Sequence, residues 1–286
     1  MAIDFDALTR WEFEEQQHPF TRRDTILYAL GVGLGFPACD PDQLPFLYEE
    51  ELRALPTMAV VLGYRGFWMK DPATGIDWKK VLHSGQAITV YQPLPVDGVI
   101  TSRLRISALI DKGRDRGAIL AVQRQIWSDR GEQLATVEQV SLLRGDGGFG
   151  RSYGAVEPTP SVPTRPADTI VDLRTFERSA LIYRLSGDYN PLHIDPRVAG
   201  EAGFPRPILH GLCTFGVIGH ALLKGPIAYR TERFHSLKGR FTNPVYPGDT
   251  IRTELWMEAA RRIAIRARAL ERDVVVFDSG VAELKT

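Results

Sequence analysis

A chain of 286 residues with 44% hydrophobic content can bury one large core or two of ordinary size. Its 35 basic residues balance 35 acidic ones, which leaves no electrostatic argument for nucleic acid or an anionic membrane as a partner. Two cysteines, Cys39 and Cys213, are too few for a disulfide framework and lack metal-ligand spacing, so a reducing compartment is expected.

In chain order, Met1 to Arg10 carries two aspartates and no apolar core long enough for a signal peptide. Ile26-Leu-Tyr-Ala-Leu-Gly-Val-Gly33 is echoed by Leu181-Ile-Tyr-Arg-Leu-Ser-Gly-Asp188, with the two tyrosines paired. His83-Ser84 recurs as His235-Ser236, and Gln92-Pro-Leu-Pro-Val-Asp-Gly98 as Asn243-Pro-Val-Tyr-Pro-Gly-Asp249. Three landmarks in one order, about 150 residues apart, point to an internal duplication. Residues 1–150 read as a first repeat, 151–168 as a Gly/Pro-rich linker that ends in the proline-rich run to Pro166, and 169–286 as a second repeat.

Each half is expected to run helix, loop, apolar helix, then strands. In the second half Glu177 to Ser186 has helical spacing, and Leu212 to Leu223 is apolar nearly all round, so that helix must be buried. Strands are expected over Ser236–Thr242, Thr250–Glu258, Ile263–Leu270 and Val274–Glu283. A curved antiparallel sheet wrapped round one apolar helix satisfies these pieces. No stretch reaches the ~20 apolar residues of a membrane span. The ending Leu284-Lys285-Thr286 is not the peroxisomal Ser-Lys-Leu address, and a cytoplasmic location is expected.

The most informative run is Tyr183-Arg-Leu-Ser-Gly-Asp-Tyr-Asn-Pro-Leu-His193-Ile-Asp-Pro. Pro191 stops a helix and Gly187 permits a sharp turn, so the Asp188 carboxylate and the His193 imidazole can converge on one small molecule. Such a pair can move protons at neutral pH. The first half has Gly33 where the second has Asp188, and no histidine follows at the matching distance, so the pair is expected in the second half alone. Asn190 is expected to hold the loop. His193, Asp195 and His210 lack a third spaced ligand of the usual kind, so no metal is expected; His210 and His220 read as structural.

This run, continued by Phe204-Pro-Arg-Pro-Ile-Leu-His-Gly-Leu-Cys-Thr-Phe-Gly216, resembles the signature of the MaoC-like, R-specific enoyl-CoA hydratases (hydratase 2). Leu55-Pro-Thr57, Asp111-Lys-Gly113 and Gly147-Gly-Phe-Gly150 extend the likeness to the hydratase 2 region of peroxisomal multifunctional enzymes, over nearly the whole chain. The resemblance implies an α+β double hot-dog fold, with curved antiparallel sheets each wrapped round a central apolar helix. It also implies reversible hydration of a trans-2-enoyl-CoA to a (3R)-3-hydroxyacyl-CoA, a degenerate first repeat that shapes the pocket, and a homodimer. No cofactor is expected beyond the CoA that is part of the substrate.

Hydration of an unsaturated thioester needs a base, an acid, and donors for charge on the thioester oxygen. Asp188 and His193 can supply the first two, and the Gly211 N–H, at the start of the buried helix, the third. By resemblance, His83, Ser84 and Lys112 contact the CoA portion, and Phe241 is a pocket aromatic. Tyr48-Glu49 resembles a family pair, with Glu49 expected to pair with Arg184 across the halves. The other readings are a dehydratase of carrier-protein thioesters, another thioester enzyme on the same fold, and a non-catalytic acyl-CoA-binding protein.

Overall fold

The computed structural model describes residues 3–285; Met1, Ala2 and Thr286, and with them the ends of the two terminal runs read above, lie outside the described residues. A short helix α1 (Phe5–Thr9) and strand β1 (Gln16–Phe20) lead into α2 (Arg22–Gly31), whose start is closed by a capping box between Thr21 and Asp24. Four long strands follow, β2 (Val81–Val90), β3 (Gly98–Asp111), β4 (Ala118–Trp127) and β5 (Gln133–Leu143). A short β6 (Ser152–Gly154) pairs with β3, so the first half's sheet reaches into the residues expected to be linker.

The second half runs β7 (Thr169–Arg174), α3 (Ser179–Tyr183), α4 (Pro196–Glu201), α5 (Gly211–Leu222) and the strands β8 (Phe234–Phe241), β9 (Thr250–Ala259), β10 (Arg262–Ala269) and β11 (Val274–Leu284). The strands join in the order β1-β3-β4-β5-β2-β8-β11-β10-β9-β7. The halves are fused edge to edge by antiparallel β2 and β8, in the register Gly85↔Arg240 to Thr89↔Ser236. Each half thereby covers the other's exposed strand edge.

The second half has the expected buried helix. Every residue of α5 from Cys213 to Leu222 is buried, as a helix without a polar face requires. In the first half the corresponding place is filled differently, by the buried 3-10 segment Pro56–Val60. The β-branched Thr57 and Val60 within it lower its preference for a regular helix. Gly216 and Gly219 let neighbours close on α5: a Cβ at Gly216 would lie 2.4 Å from Val32 Cγ1, and one at Gly219 would lie 2.4 Å from Thr57 Cγ2. One apolar cluster therefore runs through both halves, from Tyr28 through α5 to Phe277.

The duplication is visible in the packing. Tyr28 and Tyr183, the tyrosines paired between repeats, are fully buried with ring centroids 6.0 Å apart, where α2 meets α3. The motifs Asp111-Lys-Gly113 and Gly147-Gly-Phe-Gly150 also form one unit. The Asp111 carboxylate accepts from the backbone N–H groups of Gly113, Gly148 and Gly150, which holds its pKa below the usual carboxylate range. That glycine run wraps the carboxylate, and it lacks the lysine and helix start that a phosphate loop needs.

Candidate functional site

The Asp188–His193 loop is shaped as its sequence dictates. Gly187 takes φ 116°, in the left-handed region, and turns the chain out of the α3 extension. Asp188 Oδ1 accepts from the Asn190 N–H, Asn190 Oδ1 accepts from the Leu192 N–H, and Pro191 begins the single 3-10 turn that ends at His193. Asp188 is thus an Asx-turn residue and a cavity residue at once. Asp195, the other acid of the loop, caps α4 and pairs with Arg197.

His193 is buried, and its Nδ1 donates to the Ile208 carbonyl at 2.8 Å. Because a carbonyl can only accept, the proton of the neutral ring sits on Nδ1 and Nε2 carries a free lone pair. Burial pulls the His193 pKa below the ordinary histidine range, against the opposing effects of the Ile208 hydrogen bond and the Asp188 charge. His210 stacks on His193 with centroids 3.8 Å apart and donates from Nε2 to the Asp188 backbone carbonyl. Burial first, then the neighbouring His193, push His210 down to about 3.

Asp188, His193 and His210 each offer a ligand atom within 4.8 Å of the others. The stacking fits this trio poorly to a metal. Imidazole lone pairs lie in the ring plane, so an ion shared by two nearly parallel rings would sit well out of both planes. The arrangement suits proton transfer better.

These groups open on a cavity of about 590 Å³ between the halves. The second half supplies Asp188, Asn190, His193, Gly211 and Phe241, and the first half supplies Tyr64, Lys70 and His83. Gly211 is the first residue of α5, where backbone N–H groups have no intrahelical partner and the helix dipole favours negative charge. His83 stands edge-on to Phe241 at 5.0 Å and hydrogen-bonds the Gly85 carbonyl; burial lowers its pKa to about 4.

Six of the residues singled out from sequence therefore meet in one cavity: Asp188, Asn190, His193, Gly211, His83 and Phe241. Four do not line it. A bulge between His83 and Gly85 directs the Ser84 hydroxyl to the Val140 carbonyl instead. Lys112 is exposed at the turn after β3, and the lysine on the cavity wall is Lys70. Glu49 is exposed, and among the described residues no ion pair joins it to Arg184. The Arg184 guanidinium lies 4.9 Å from the Tyr189 ring centroid, turned to its own loop. That corrects the expected pairing across the halves.

Sequence reasoning missed Tyr64, while His210, read as structural, packs on His193 and bonds the Asp188 carbonyl. Burial and the Asp188 charge raise the Tyr64 phenol to about 12, so it keeps its proton and can donate into the site. Its signal was Gly63-Tyr-Arg-Gly66, a tyrosine between two glycines that both adopt positive φ.

The chain matches the MaoC like domain over residues 158–277 and the MFE-2 hydratase 2 N-terminal domain over residues 18–145. It is 38% identical to 3-hydroxyacyl-thioester dehydratase Y of Mycobacterium tuberculosis, over 99% of each chain. It is 36% identical to the peroxisomal multifunctional enzyme type 2 of Mus musculus over 93% of its own length, and spans 36% of that longer protein. A crystal structure of a MaoC-like dehydratase from Phytophthora capsici superposes with a TM-score of 0.88 at 31% identity, covering 99% of both chains. With both halves matched in order on one double hot-dog fold, the chain belongs to the MaoC-like hydratase 2 family.

Proposed function

We propose that the protein hydrates trans-2-enoyl-CoA reversibly to (3R)-3-hydroxyacyl-CoA, with His193 as the proton carrier. The observation that carries this reading is the hydrogen bond from His193 Nδ1 to Ile208, which leaves Nε2 as a free base facing the cavity beside Asp188. The family membership and the dehydratase name of the full-length relative support the reaction class.

In this mechanism Asp188 orients a water against Nε2. One water proton moves to Nε2 while the oxygen bonds to C3 of the enoyl group. The negative charge gathering on the thioester oxygen meets the Gly211 N–H at the start of α5. The imidazolium, steadied by the Asp188 charge, then returns its proton to C2, and the ring ends neutral as it began. No further cofactor enters this balance. Asn190 holds the loop geometry, His83 and Phe241 flank the thioester, and Lys70 stands where a CoA phosphate can reach it.

The reading extends to a homodimer in a reducing cytoplasm. Both cysteines are free, and Leu30, Leu181 and Leu185 leave exposed apolar surface on and beside the adjoining helices α2 and α3.

The test is loss of the enoyl-thioester ultraviolet absorbance with trans-2-decenoyl-CoA, with the product's stereochemistry resolved. A (3R) product, with turnover reduced about 10²- to 10⁴-fold in both Asp188→Asn and His193→Ala, is expected. Absence of hydration by the unaltered protein would overturn the reading.

A further inference from the structure

A second, smaller cavity of about 40 Å³ adjoins the first and shares Tyr64, Phe67, Gln139 and Leu212 with it as lining residues. Its unusual member is Arg124. In β4 the residues Leu120, Val122, Arg124 and Ile126 share one face, because side chains alternate along a strand. That face turns inward: Leu120 and Ile126 are fully buried, and Arg124 itself is only 7% exposed. Across the sheet, Arg124 lies opposite Leu104 on β3 and Val137 on β5. A guanidinium thus occupies a position that the strand pattern reserves for an apolar residue.

The surroundings only partly satisfy it. Arg124 Nη2 donates to the carbonyls of Ala59 and Val60 at 3.3 and 2.6 Å, and its Nε has no partner. Among the described residues no carboxylate lies within ion-pair distance of it. Burial lowers its pKa to about 10, which leaves it cationic at neutral pH. A buried charge without a counter-charge is costly, and a hydrophobic residue at this place would avoid the cost. The other polar side chains that line the space belong to Tyr64, Arg65, Trp68, Gln86 and Gln139, none of them anionic at neutral pH. The space holds a few waters or one small polar group.

We propose that Arg124 forms a distal acyl subsite, which takes substrates whose acyl tail ends in a carboxylate. The site rests on the enoyl-CoA reading for the thioester end, and on the cavity beyond Tyr64 and Leu212 for the tail. The tail's carboxylate supplies the missing counter-charge and bonds to Nε and the remaining guanidinium N–H groups. Gln139 and Tyr64 complete its hydrogen bonding. Arginine suits the task because its planar fork donates two parallel hydrogen bonds to a carboxylate.

The experiment compares methyl-ended trans-2-enoyl-CoAs with their ω-carboxy counterparts at eight, ten and twelve carbons, using the full chain and Arg124→Met and Arg124→Lys. At the best length the ω-carboxy substrate is expected to show a KM about tenfold lower or better, with kcat little changed. Arg124→Met should abolish that preference while it still turns over the methyl-ended series, and Arg124→Lys should keep part of it. In parallel, calorimetry with the saturated, unreactive ω-carboxyacyl-CoAs and acyl-CoAs reads binding without chemistry. Tighter binding of the ω-carboxy form, lost in Arg124→Met, supports the subsite even if neither series is hydrated; that second result overturns only the hydratase reading. Equal or weaker binding of the ω-carboxy form at every length overturns the subsite, even if hydration of the methyl-ended series is fast. Should Arg124→Met fail to fold, the ratio measured on the unaltered protein and on Arg124→Lys decides.

Discussion

His193 and His210 lie ring against ring, their centroids 3.8 Å apart and their planes 30° from parallel. Each is tied to a backbone carbonyl of the neighbouring segment, His193 to Ile208 and His210 to Asp188. The two imidazoles therefore lock the Asp188–His193 loop to the approach of α5. Protonation of one ring disfavours protonation of the other, so the pair carries one positive charge at most in the working range.

His210→Phe retains the stack but loses the hydrogen bond to the Asp188 carbonyl. It is expected to lower kcat about 10- to 100-fold, since a small misplacement of a reacting group is that costly. A variant with unchanged kcat would reduce His210 to packing.

The pH dependence of kcat/KM follows from the state of His193. Its pKa lies below the ordinary value of 6.5, and in the proposed mechanism the neutral ring is the competent form. Activity is therefore level at neutral pH and falls only as the pH drops through a value below 6.5. Asp188 opposes that depression, so the residual activity of Asp188→Asn should fall at a still lower pH. An acid limb above 6.5, or one that moves up in Asp188→Asn, contradicts the assignment.

Gly211→Ala tests the α5 N–H as the oxyanion donor. The added methyl would stand 3.6 Å from the nearest Phe241 ring atom, an ordinary contact, so the fold should persist. It would crowd the approach of a thioester oxygen to the N–H. A fall in kcat/KM of about 10²-fold is expected, with a melting temperature no lower than the parent's. Full activity in this variant would place the donor elsewhere.

Gly216→Ala probes the close approach of α5 to the end of α2. Its Cβ would meet Val32 Cγ1 at 2.4 Å and the Tyr28 hydroxyl at 2.9 Å. Overpacking of this kind costs about 1–3 kcal/mol, more than the ~1 kcal/mol that alanine contributes to helix propensity. Urea unfolding should show a net loss of stability, partly relieved when Val32→Ala is added. A stabilised single variant would mean that the helices move apart freely.

The Asp188–His193 loop was legible because its signals are local. Gly187, Asn190 and Pro191 shape the turn through their own backbone preferences, and Asp188 and His193 are displayed on it. The strands of the second half and the apolar helix were legible from periodicity, since α5 must be buried whatever packs against it. The central segment of the first half was not, because burial alone does not separate a helix from the 3-10 turn that Pro56 starts. The resemblance put Ser84 in the site together with His83, and only the bulge in β2 turned the two apart.

The sequence by itself determined the duplication, the Asp188–His193 pair and the glycine at the head of the buried helix, since each rests on residues within one turn or on a repeated order. The tertiary structure alone decided that His210 stacks on His193, that Tyr64 and Lys70 reach the cavity from the other half, and that Arg124 faces inward without a counter-charge. Those relations join residues far apart in the chain, and they arise only when the edge strands β2 and β8 pair and close the two halves over one core.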